Sequence, residues 1–81
     1  MISVKVLSPN FKTLFGTAEF APRLSTLVTT DNPNLADKLR QRVGSRVQLV
    51  SDSKIYLVKI LDQAPGKWFT FWVSVIETKE K

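Results

Sequence analysis

Lys38, Arg40, Arg42 and Arg46 fall within nine residues that contain no carboxylate. Lysine and arginine in such a run can neutralise phosphates and release their counterions. Lys12, Lys54, Lys59 and Lys67 are interleaved with Phe11, Phe15, Tyr56, Trp68 and Trp72. Aromatic rings beside cations are what single-strand binding uses, because each stacked base contributes about 1–3 kcal/mol whatever its identity. The expected nucleic-acid contacts are Lys12, Lys38, Arg40, Arg42, Arg46 and Lys59 on phosphates. Tyr56, Trp68, Trp72 and Phe11 are the expected stacking rings. Each signal also has a plainer reading. A basic helix face keeps a protein soluble, Phe15 and Phe20 are ordinary core residues, and Tyr56 fills a sheet.

Catalysis has little to work with. There is no Cys and no His in the chain, which removes disulfides, thiolate zinc sites and the usual proton shuttle near neutral pH. Asp31, Asp37, Asp52 and Asp62 fall in turns or at a helix start, where Asp serves the backbone. Pro65-Gly66-Lys67 lacks the remaining residues of a phosphate loop. The reading is a non-enzyme with no catalytic residues, no metal and no cofactor.

The chain has 81 residues, 43% hydrophobic and 23% charged, with a formal net charge of +5. That is one small folded domain over residues 1–81, whose basic excess suits an acidic partner. Residues 77–81 read as a frayed, charged tail. No apolar run approaches the roughly 18 residues needed to cross a bilayer. The run Met1–Leu7 is too short for a signal peptide and carries Lys5. Hence the expectation of a cytoplasmic protein with no membrane contact.

These side chains need elements to hold them. Ile2, Val4 and Val6 alternate with polar residues, as a half-buried strand does. A loop spans Phe11 to Gly16, a second strand Thr17 to Phe20, and a third Leu24 to Thr30. Asn32 is placed to cap a helix that has Pro33 at its first position. Asp37 should complement the positive end of its dipole. Leu35, Leu39 and Val43 form a core stripe over about three turns, and Gly44 ends it. Arg42 and Arg46 straddle that end, in reach of its last carbonyls. Strands then cover Arg46 to Ser51, Lys54 to Leu61 and Trp68 to Thr78, with a tight turn at Asp52-Ser53 and a longer one at Gln63 to Gly66.

The fold class is therefore mainly β with one helix (α+β), in the order β-β-β-α-β-β(-β). A small oligonucleotide-binding-like (OB-like) or Src-homology-like barrel fits this order, and an open sheet with the helix on one face competes. Pairing the last two strands through a turn at Ala64 to Lys67 sets Ile60 against Phe71, Val58 against Val73, Tyr56 against Val75 and Lys54 against Glu77. Phe69, Phe71, Val73 and Val75 then face the core, while Trp68, Thr70, Trp72, Ser74 and Ile76 face away. A hairpin apolar on both sides needs a cover. The helix, a second copy in a homodimer, or a partner would provide it, with Trp68, Trp72 and Ile76 as the interface.

Two function classes remain open. One is a nucleic-acid-binding module, favouring single strands with weak sequence preference. The other is a protein-interaction module or accessory subunit that meets an acidic protein through the Trp68/Trp72 face. A regulator of a nucleic-acid enzyme is a third.

Overall fold

A computed structural model describes residues 2–21, 27–65 and 69–81. The elements are β1 (Ile2–Leu7), β2 (Leu14–Ala21), β3 (Leu27–Thr30), α1 (Pro33–Arg40), β4 (Arg46–Val50), β5 (Lys54–Ala64) and β6 (Phe69–Glu80). The protein is mainly β with one short helix, in the expected β-β-β-α-β-β-β order. The strands form a closed antiparallel barrel, β1-β2-β3-β6-β5-β4, which removes the open sheet from consideration. Closure joins β1 to β4 and β3 to β6. The second strand begins three residues before its expected start at Thr17. Of the expected third strand, Leu24–Thr26 lie outside the described residues.

Alternation along each strand sends one row of side chains inward. Val4, Val6, Phe20, Val28, Val47, Leu49, Val58, Ile60 and Phe71 are all buried there. Tyr56 belongs to the same row, its ring edge-on to Phe20 at 4.9 Å between centroids. Leu35, Ala36 and Leu39 of α1 complete the core, as the helix packs against β2, β3 and β5. Leu35 lies over Gly16, whose φ of 153° favours glycine, and a Cβ there would meet Leu35 Cδ2 at an ordinary contact distance of 3.4 Å.

The helix starts as its sequence dictates, with Asn32 Oδ1 accepting from the Asn34 amide at 2.9 Å and Pro33 following. It is shorter than the leucine stripe implied. The helix ends at Arg40, and a tight turn carries Val43 out to 44% exposure rather than into the core. Gly44, at φ 88°, lets the chain double back so that its amide bonds the Ile60 carbonyl at 2.7 Å. The first turn carries no acid: Asp37 pairs with Arg40 instead of serving the dipole.

The β4–β5 turn at Asp52-Ser53 is tight, with the Ser51 amide bonded to the Lys54 carbonyl. The β5–β6 register differs from the expected one. Ile60 faces Val73, Val58 faces Val75 and Lys54 faces Glu80. The reason is that β5 runs on to Ala64, opposite Thr70, so the connection begins later than supposed. Around Ile60 the slip is two residues, which leaves every inward side chain inward. Two bulges interrupt the ladder, one adding Leu61 to β5 and one adding Ile76 to β6. The tail expected to fray stays in the sheet, with Glu77, Thr78, Lys79 and Glu80 opposite Leu57, Tyr56, Ile55 and Lys54. Val75, placed in the core by its parity, is exposed, because β6 has run past its last described β3 pair, Leu27 with Trp72.

Candidate nucleic-acid interface

The outward side chains of β4, β5 and β6 fall into rows across the ladder. Arg46, Lys59 and Ser74 make one row. Gln48, Leu57 and Glu77 make the next, and Val50, Ile55 and Lys79 the one after. Rows lie about 6.6 Å apart, the rise of two strand residues. Trp72 stands beyond the first row, diagonal to Lys59 and 40% exposed. Leu61 and Ile76 project from their bulges on either side, at 49% and 46% exposure.

Arg46 and Lys59 are direct cross-strand partners, and both are exposed. Among the described residues neither has an ion-pair or side-chain hydrogen-bond partner. Like charges placed directly opposite destabilise a sheet by a few tenths of a kcal/mol or more. An anion lying between them would reverse that sign.

A loop borders the other end of the face. Ser8 accepts from the Phe11 amide and donates its own amide to the Thr13 carbonyl, both at 2.9 Å. Asn10 Oδ1 accepts from Ser8 Oγ and the Lys12 amide, and Gln48 Nε2 donates to the Pro9 carbonyl. This network holds Phe11 at φ 62°, in the left-handed region that a bulky side chain rarely enters. Its ring is half exposed and borders a shallow depression shared with Gln48, Ile55, Leu57, Glu77 and Lys79. Strain of this kind costs about 1–3 kcal/mol and persists where the surroundings enforce it. Phe11→Asn is expected to raise the melting temperature by several degrees, since asparagine tolerates the left-handed conformation and each kcal/mol is worth about 4–8 °C at this size. A melting curve no higher than that of the parent protein would show that the ring stabilises its own position.

The face thus unites Arg46, Lys59 and Trp72 of the expected site, with Phe11 and the exposed Lys12 at its border. The others lie elsewhere. Arg40 is held by Asp37, donates to Gln63 Oε1 at 3.1 Å and lies over the Phe69 ring at 5.5 Å. Arg42 stacks on Phe15 at 4.2 Å and donates to the Lys38 carbonyl at 3.1 Å, which satisfies a helix-end oxygen as anticipated. Lys38 is exposed on α1, away from the outer face of β6. Tyr56 cannot serve as a stacking platform, because its ring is core. Trp68 lies outside the described residues. The helix does not cover the outer side of the final hairpin, and Trp72 and Ile76 stay open.

Leu61 and Gln48 escaped the sequence reading. No local signal marks a bulge in Ile60-Leu61-Asp62, and Gln48 became visible only through its bond to the Pro9 carbonyl. Among the described residues no cluster of acids could hold a metal ion, and no helix is long and apolar enough to cross a membrane. Fold and face together define a six-stranded barrel with an Arg46–Lys59 pair between two exposed aromatic rings, flanked by Asp62 opposite Trp72 and by Glu77 paired with Lys79. Comparison of the chain with protein-family models, curated proteins and solved structures finds no match.

Proposed function

We propose that the protein binds single-stranded nucleic acid, with little sequence preference, on the outer face of β4, β5 and β6. The observation that carries this reading is the unpaired Arg46–Lys59 couple. Two cations held side by side with no ion-pair partner form a phosphate seat. Trp72 and Phe11 supply stacking surfaces at its two ends, and Lys12 adds a further charge beside Phe11. Backbone charge and ring faces read no base edge, hence the weak preference.

Quenching of Trp fluorescence by a mixed-sequence single strand tests it. The affinity should fall with a linear log–log dependence on salt, each neutralised phosphate adding about 0.7 to the slope. No quenching at low salt, with the protein folded, overturns the reading.

A second reading has its own support. Leu61, Trp72 and Ile76 expose apolar surface along the hairpin, a composition suited to a protein partner. Under it, Trp72→Ala abolishes a protein complex while loss of Arg46 and Lys59 matters little.

A further inference from the structure

A second concavity opens where the barrel wall splits. β1 pairs with β4 only from Lys5 to Leu7, because β4 stops at Val50 and the chain turns back at Asp52-Ser53. The gap between Ile2–Val4 and this turn is an open groove of about 1010 Å³. Ile2, Leu7, Phe11 and Ile55 give it apolar surface, while Lys5, Lys54 and Lys81 line it from three distant parts of the chain. Asp52 is the one acidic side chain among its described lining residues. The Lys81 amide bonds the Ser53 carbonyl at 3.0 Å, which ties this end of the chain to the turn.

Tyr56 adds a directional group. Its ring is buried against Phe20, yet its hydroxyl has no hydrogen-bond partner and is not a buried unsatisfied atom. The hydroxyl therefore keeps some exposed surface, and Tyr56 is among the residues lining the groove. Apolar walls, a few convergent polar groups and space for a small molecule are the usual marks of a ligand site. Phe11 and Ile55 line both this groove and the depression on the outer face, so the two adjoin.

We propose that the groove holds one nucleotide unit, with its phosphate among Lys5, Lys54 and Lys81 and its base against Ile2, one edge bonded to the Tyr56 hydroxyl. As the end of a longer bound strand, this unit rests on the function proposed above. As a site it can be tested alone. Adenosine 5′-monophosphate, followed by amide chemical shifts, should move Lys5, Val50, Ile55, Tyr56 and Lys81 and leave Arg46, Lys59 and Trp72 in place. Lys5→Ala with Lys54→Ala should abolish these shifts. Tyr56→Phe, which keeps the ring in the core, should weaken binding about threefold to tenfold, the loss of one hydrogen bond.

Absence of shifts at the groove overturns the proposal. So does an equal pattern from inorganic phosphate at the same concentration, which would make the groove a plain anion site. If an oligonucleotide binds the outer face while the monophosphate leaves the groove unmoved, the groove assignment falls and the proposed function stands. Groove shifts without any oligonucleotide binding sink the proposed function and leave a site for a free nucleotide.

Discussion

Arg46→Ala combined with Lys59→Ala is expected to lower the affinity for a single-stranded oligonucleotide on the order of 100-fold at low salt, as two charge-assisted phosphate contacts are lost. The salt slope should flatten by about 1.4, two phosphates at about 0.7 each. Stability should move the other way, because removing opposed like charges relieves the ladder by about 0.2–1 kcal/mol. A variant that binds poorly yet melts no lower is the signature of a functional pair. One that binds as well as the parent protein removes the phosphate seat from the account. Arg40→Ala and Arg42→Ala should weaken binding less, since both guanidinium groups are engaged within the molecule. From the sequence alone all four arginine and lysine positions looked equivalent.

The other large effect concerns the fold. Leu35 is fully buried between α1 and the barrel, in contact range of Gly16 on β2. Leu35→Ala should cost about 2–5 kcal/mol through lost burial and the cavity left behind. A domain of this length has about 4–12 kcal/mol in all. Chemical denaturation should therefore find the variant much less stable, with a fraction unfolded at physiological temperature. A loss below 1 kcal/mol would mean that the barrel stands without its helix.

Several features of the fold were legible because they depend on short-range pattern. Asn32-Pro33 marks a helix start by hydrogen-bond chemistry and by a fixed φ. The even alternation of Phe69, Phe71 and Val73 assigns their side of the sheet whatever the partner strand does. Val43 shows the limit of such pattern. It continues the leucine stripe, but the Gly44 amide must reach the Ile60 carbonyl, and the helix ends before Val43 could pack. Tyr56 differs for another reason: its ring type suggests a stacking platform, while its parity with Val58 and Ile60 places it inward, and position decides.

The site was legible in part. Arg46, Lys59 and Trp72 were named, but the pairing that gives them meaning depends on the β4–β5 register. Lys5 carries no local signal and Lys54 only its place among the aromatics, since barrel topology alone brings the two to one groove. Arg40 and Arg42 formed the densest basic run, and tertiary contacts absorbed both.

The two bulges in the β5–β6 hairpin bear on how much chain the barrel requires. On either side of Leu61 and of Ile76 the cross-strand pairing resumes in step, so each is a single-residue insertion. Deleting either residue would leave every remaining pair with its present neighbour and a straighter hairpin. Pairing alone would therefore be served by a chain two residues shorter. What the extra residues supply is bend, together with two apolar side chains held out beside Trp72.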